Sequence, residues 1–440
     1  MSHAGGFWNW KIILIGAQML FVAFGAMVLM PLLTGLDPSV ALFTAGLGTL
    51  LFQWITRRSI PVFLASSFVF VAPISHGVQQ WGVPATMGAL FCTAVVYVIL
   101  GALVKWRGPG FLHRLMPPVV TGPIIMVIGL SLAPTAVNFA MGMSGNGEMQ
   151  MFPYGDALLV SMVSLLVTML VATLGRGLFR LLPILCGVVS GYLTALAMGM
   201  VDFSGVNQAG WLSVPTFIAP TFYWPAILFM VPVALAPAIE HVGDVLAISN
   251  VTGKDYIRKP GLHRTLTGDG VASMVAALFG GPPNTTYSEV TGAVMLTRVF
   301  NPVIMTWTAI FAILLAFIGK FGLLLQSIPT PVMGGILILM FGSIASVGMN
   351  TLIKAQVDLH AQRNLVIVAV TLIFGIGGMA MGNGDFTLQG ISLCGLVAVF
   401  LNQVLPHAPP VTDDLHEEQE YVEDLLNHAR RDQSGKSDQE

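Results

Sequence analysis

Apolar runs of about 20 residues, the length that crosses a bilayer core, recur from Ile12 to Leu405 with only short gaps between them. A chain built this way has to fold in hydrocarbon, where backbone polar groups must be paired internally and helices are the simplest solution. Composition agrees: 55% of residues are hydrophobic and 9% charged, and the mean hydropathy is +0.81, whereas a soluble domain carries far more charge. The sequence therefore predicts an all-α polytopic membrane protein. The run from Ile12 is too long for a signal h-region and leads into further spans, so the first helix is expected to be retained.

Spans are predicted near 12–33, 38–55, 60–76, 84–104, 117–136, 155–174, 181–200, 222–245, 265–280, 285–299, 302–319, 330–348, 363–380 and 388–405, fourteen in all. Basic residues test the count, because they should collect in alternate loops. With the N-terminus placed in the cytoplasm, only Lys320 of the 19 Lys and Arg falls outside. Both termini are then cytoplasmic, and the localisation expected is the cell (inner) membrane. The chain divides into an N-terminus 1–11, a transmembrane domain 12–405 and an acidic tail 406–440, which reads as a solvated charge run. Cys92, Cys186 and Cys394 are widely spaced within apolar runs, so neither a disulfide framework nor a metal site is suggested.

A weak internal repeat runs through the spans. LMPPVVTGPIIMVIGL from Leu115 resembles SIPTPVMGGILILMFG from Ser327, with Pro118 and Pro331 lying 213 positions apart. Gln18 and Glu240 are 222 apart, as are Ser67 and Glu289. Two copies, about 12–200 and 222–405, would hold seven spans each, an odd number that inverts the second copy. Inverted repeats are a transporter architecture, with substrate near the midplane where broken helices meet.

The stretch from Pro282 to Arg298, PPNTTYSEVTGAVMLTR, is such a break: a polar opening behind two prolines enters an apolar helical pattern carrying Glu289. Ionisable residues inside spans are functional candidates. Here they are Glu240, Asp244, Asp269 and Glu289. Glu240 and Asp244 are i and i+4 and share one helix face. Such a pair is not expected to be ionised twice over, and it can exchange a proton near neutral pH, which is a proton-coupling device in outline. His241 lies about 100° round the helix and reads as a packing or hydrogen-bonding residue. Asp269, between Gly268 and Gly270, reads as an N-cap, with a coupling role as the alternative. In the third span, Phe68 follows Ser66 and Ser67; if the third and tenth spans are counterparts, its ring and Glu289 approach one cavity from opposite sides.

EHVGD at 240–244, GGPPNTTYSE at 280–289, the following VTGAVMLTR and SIPTPVMGG at 327–335 resemble the nucleobase–ascorbate transporters, also called nucleobase:cation symporters. Within that family the likeness is to bacterial uracil and uracil–xanthine permeases. The resemblance implies fourteen segments in two inverted repeats of seven, a core and a gate domain, a homodimer, and short antiparallel strands in segments 3 and 10. It also implies that Glu240 and Glu289 accept hydrogen bonds from the ring, that Phe68 stacks on the base, and that the backbone at Tyr287 and Ser288 contacts it. Phe341 would be a gate-side aromatic, and Asp244 would serve proton coupling. Two residues depart from the family pattern: Val290 where Asn is common, and Asp244 where uracil:proton symporters carry His.

The function expected is secondary active import of a nucleobase, uracil first, by proton symport. A xanthine, purine or other pyrimidine cargo and sodium coupling are the alternatives. Anion transport on the same fold is disfavoured, because an anion site does not call for facing carboxylates. No HExxH, GxSxG or Cys/His cluster points to an enzyme. No cofactor, metal or nucleic-acid partner is expected.

Overall fold

The computed structural model describes residues 8–177, 179–383 and 386–406. The acidic tail beyond Pro406 lies outside them. Helix α1 (Trp10–Thr34) is capped by Asn9 and ends at Gly35, where φ of +75° closes the last turn. Asp37 then caps α2 (Pro38–Ile55), accepting from the Ser39 N–H with Pro38 in the first turn, so two helices are separated by three residues.

Strand β1 (Leu64–Ser66) comes next, followed by a 3-10 turn at Phe68–Phe70 and the long helix α3 (Val71–Arg107). Gly82 interrupts α3 with φ of +79° just before Pro84, so one continuous run holds two helical pieces. Then follow α4 (Pro118–Ser131), α5 (Tyr154–Leu174), α6 (Pro183–Ala197), α7 (Leu235–Thr252) and α8 (Leu262–Leu278). Strand β2 (Asn284–Thr286) leads into α9 (Ser288–Thr297). The chain closes with α10 (Val303–Ala316), α11 (Thr330–Lys354), α12 (Gln362–Ile376), the hairpin β3 (Ala380–Asn383) and β4 (Phe386–Gln389), and α13 (Gly390–Val404). No part of the sequence reading anticipates that hairpin, which falls where two predicted spans meet.

Seven helical stretches among the described residues are long and apolar enough to cross a membrane: Trp10–Thr34, Pro38–Ile55, Phe68–Arg107, Pro118–Ala140, Tyr154–Leu174, Trp224–Thr252 and Thr330–Lys354. The protein is therefore a mostly helical, multi-pass membrane protein. Four shorter apolar helices accompany them. Helix α9 has 10 residues, about 15 Å at 1.5 Å per residue, half of the hydrocarbon thickness.

The helices pack in two groups. Helices α1, α2, α3, α8 and α10 contact one another, while α4, α5, α6, α11, α12 and α13 form the second set. In the second set α4 and α11, whose sequences resemble each other, lie side by side. A Cβ added at Gly129 would come within 2.4 Å of the Phe341 carbonyl, and one at Gly348 within 2.6 Å of the Gly122 carbonyl. Small residues therefore let these backbones touch, as membrane helix packing requires.

Asp269 is not a cap. It sits in the eighth position of α8, whose N-cap is Gly261. Its flanking glycines serve packing: a Cβ at Gly268 would meet the Phe52 ring at 2.7 Å, and one at Gly270 the Tyr97 Cβ at 2.8 Å.

Candidate functional site

Two prolines deny the chain N–H groups at 282 and 283, and the β-branched Thr285 and Thr286 favour extended backbone, so β2 forms where a helix cannot. It pairs antiparallel with β1 in the register Leu64 to Thr286, Ala65 to Thr285 and Ser66 to Asn284. The Ser67 N–H extends the ladder to the Pro283 carbonyl at 2.9 Å. Both strands are buried, and each is held by one helix hydroxyl. Thr49 of α2 accepts the Leu64 N–H at 2.9 Å and donates to the Leu64 carbonyl at 3.3 Å. Ser273 of α8 accepts the Asn284 N–H at 3.0 Å and donates to the Asn284 carbonyl at 2.8 Å. Hydroxyls here replace the neighbouring strands that a wider sheet would supply.

Each strand runs directly into a helix. Ser67 and Tyr287 hold extended backbone immediately before the 3-10 turn and α9, and neither caps the helix with its side chain. Helix N-termini carry partial positive charge, and Glu289 lies in the first turn of α9, where that charge favours it. Glu289 has solvent-accessible surface although Val290 and Thr291 beside it are buried.

On α7, Asp244 is 6% exposed and accepts a hydrogen bond from the Thr286 hydroxyl at 2.7 Å. Glu240, one turn earlier and half-buried, keeps Oε2 buried with no hydrogen-bond partner among the described residues. It stands within electrostatic reach of Asp244, Glu289 and Asp269. Four carboxyl groups therefore share one neighbourhood. His241 approaches Asp269 at 3.2 Å from Nδ1 to Oδ2, both side chains at 0% exposure. That contact is off the hydrogen-bond line, since neither atom meets hydrogen-bond geometry. It is a close polar contact between α7 and α8.

The structure thus brings Glu240, Asp244 and Glu289 to the strand crossing. Tyr287 arrives by an unexpected route: its hydroxyl donates to the Ser66 carbonyl at 2.7 Å, so its side chain fastens β2 to β1. Phe68 is half-buried in the 3-10 turn and packs on the apolar core. Ser288 opens α9, and its side chain lies outside the described residues. Phe341 is 2% exposed in α11, in the second helix group. Val290 is 0% exposed, and the Thr291 hydroxyl turns back to the Tyr287 carbonyl at 3.4 Å. The sequence reading missed Thr286, Thr49, Ser273 and the His241–Asp269 contact. The threonines and serine are common span residues, and only the tertiary partner distinguishes them.

A helical membrane protein whose broken segments and carboxylates meet at a strand crossing belongs, by fold and site, among membrane transporters. Residues 10–384 match the xanthine/uracil permease model of the Permease family, and the chain belongs to that family. It is 56% identical to a probable uracil permease of Haemophilus influenzae over 90% of this chain and 94% of that protein. It is 44% identical to the uracil permease of Bacillus caldolyticus over 92% and 94%. The transmembrane domain of a cyanobacterial bicarbonate transporter, BicA, shares the fold at a TM-score of 0.65 and 14% identity, covering 90% of this chain and 98% of that one. The chain is a permease, not an enzyme.

Proposed function

We propose that this permease imports uracil by proton symport, with alternating access to one site at the crossing of β1 and β2. The observation that carries the reading is the convergence of Glu240 and Glu289 beside two strand-to-helix junctions, because a neutral ring with N–H donors needs acceptors at membrane depth. Glu240 and Glu289 accept the ring N–H groups, Phe68 stacks on the ring, and backbone at Tyr287 and Ser288 supplies the remaining contacts. Asp244, tied to β2 by Thr286, couples the proton to the position of the strand. Relatives named uracil permeases at 56% and 44% identity favour uracil over xanthine as cargo.

In this reading the fold has fourteen segments in two inverted repeats, which the matching hydroxyl clamps at Thr49 and Ser273 support. The group containing α1 to α3 is the core, and the group containing α4 and α11 is the gate. Phe341 is the gate-side aromatic, the protein is a homodimer, and both termini are cytoplasmic.

Uptake of radiolabelled uracil into proteoliposomes under an imposed inward proton gradient, or a sodium gradient, tests the function, with xanthine and thymine as competitors. Proton-driven uptake that Glu289→Gln abolishes is expected. Uptake driven by sodium alone refutes proton coupling, and competition by xanthine without uracil entry refutes the cargo.

A further inference from the structure

The end of α2 carries features that transport does not use. Arg57 and Arg58 follow the helix with φ of +56° and +51°, consecutive non-glycine residues in the left-handed region, where a Cβ crowds the backbone. The turn is pinned from both sides. The Arg58 N–H donates to the Gln53 carbonyl at 2.6 Å, and the Arg57 N–H to the Trp54 carbonyl at 3.2 Å. The Gln53 side chain is itself fixed, donating to the Pro302 carbonyl at 2.8 Å and accepting from the Thr306 hydroxyl at 2.7 Å.

The strained turn places charge in one spot. Arg57, Arg58 and Arg264, the last from the first turn of α8, line an open cavity of about 650 Å³ with Gln53, Trp54 and Ile55. Among the described residues, none of the three guanidinium groups pairs with a carboxylate. Gln53 has both side-chain groups engaged, so the cavity offers cationic donors and no anion of its own. Guanidinium forks match phosphate oxygens two at a time. Trp54, 78% exposed at the end of a membrane-length helix, stands beside them as aromatic residues do at a membrane–water interface.

We propose that Arg57, Arg58 and Arg264 form a binding site for a phosphate-bearing anion, supplied by the headgroup of an anionic phospholipid or by soluble phosphate. The site adjoins residues 59–63, which lead into β1, so an occupant braces the strand that crosses β2.

The test is native mass spectrometry of the full chain, titrated with phosphatidylglycerol and, as the zwitterionic control, phosphatidylcholine. At about fivefold per basic residue near an anionic headgroup, Arg264→Gln is expected to weaken phosphatidylglycerol binding about fivefold. The triple variant Arg57→Gln, Arg58→Gln, Arg264→Gln is expected to weaken it about a hundredfold, with phosphatidylcholine unaffected in both. A chase with millimolar inorganic phosphate separates the sources: displacement assigns the site to a soluble phosphate, and resistance assigns it to the lipid headgroup. Arg264→Gln leaves the left-handed turn untouched, so its loss cannot come from misfolding of that turn. Phosphatidylglycerol affinity equal to wild type in Arg264→Gln and in the triple variant overturns the proposal, as does equal binding of the two lipids by wild type.

Discussion

The Thr286 hydroxyl donates to the Asp244 carboxylate across 2.7 Å of buried space, joining a three-residue strand to the helix that carries Glu240. The strand and the carboxyl group of the helix are therefore linked through one hydrogen bond. A hydrogen bond contributes about 0.5–1.5 kcal/mol net, and its loss costs about 1–3 kcal/mol where the acceptor stays buried. Thr286→Val keeps the shape and removes the donor. Purified Thr286→Val is expected to melt at lower temperature than wild type, with uracil uptake down about tenfold, and Thr286→Ser is expected to restore both. Wild-type melting and uptake in the valine variant would show that the contact links nothing.

Tyr287 makes a second such link, from its hydroxyl to the Ser66 carbonyl at 2.7 Å, at 5% exposure. Tyr287→Phe leaves that buried carbonyl short of a partner, at about 1–3 kcal/mol. Because this side chain fastens the strands and the proposed substrate contact is through backbone, the variant is expected to lower thermal stability and to slow transport. Inhibition by excess unlabelled uracil should then keep its ranking over thymine. A reordered competitor ranking would place the phenol in the binding site itself.

The His241–Asp269 contact has both side chains at 0% exposure. Removing one of two buried polar partners strands the other, at about 1–3 kcal/mol, whereas replacing both by apolar groups can be nearly neutral. His241→Leu and Asp269→Leu are each expected to lower the unfolding midpoint sharply, and the double variant to lose less than the sum. Additive losses in that double-mutant cycle would mean that the two side chains do not interact.

Hydropathy alone revealed the membrane class, and the proline pair at 282–283 marked the break that became β2. Both signals are local: a run of apolar residues and a missing N–H need no partner to be read. The partner of Asp269 is a different matter, since His241 reaches it from another helix and nothing in either segment names the other. Gly268 and Gly270 misled for a physical reason. Glycines beside an aspartate look like a helix start, but here they admit the Phe52 ring and the Tyr97 Cβ at mid-helix. The β3–β4 hairpin was hidden likewise, because GGMAMGNGDFTLQ offers Gly-rich turn chemistry without strand-length alternation.

The two hydroxyl clamps make a matched prediction. Thr49 and Ser273 each satisfy both backbone groups of the residue that opens a strand. Thr49→Val and Ser273→Ala each strand one buried N–H and one buried carbonyl, at about 1–3 kcal/mol per group. Both variants are expected to lower the melting temperature by similar amounts and to reduce uptake. A loss confined to one of them would break the correspondence between the strands.

Val290 carries a prediction about base selectivity. The resemblance places Asn at this position in many relatives, which would suggest that valine has cost the site a polar contact. Val290 is 0% exposed, within the apolar core cluster, and the neighbouring Thr291 hydroxyl is already bonded to the Tyr287 carbonyl at 3.4 Å. An amide introduced here is buried among apolar side chains, and a polar group without a partner costs about 1–3 kcal/mol by protein mutational data. Val290→Asn is therefore expected to lower the unfolding midpoint while leaving the order of uracil, thymine and xanthine as competitors unchanged. Competition assays and thermal melts on the same preparation separate the two effects. A shift toward xanthine with wild-type stability would show that position 290 reaches the substrate, and that Val290 turns toward the cavity during transport.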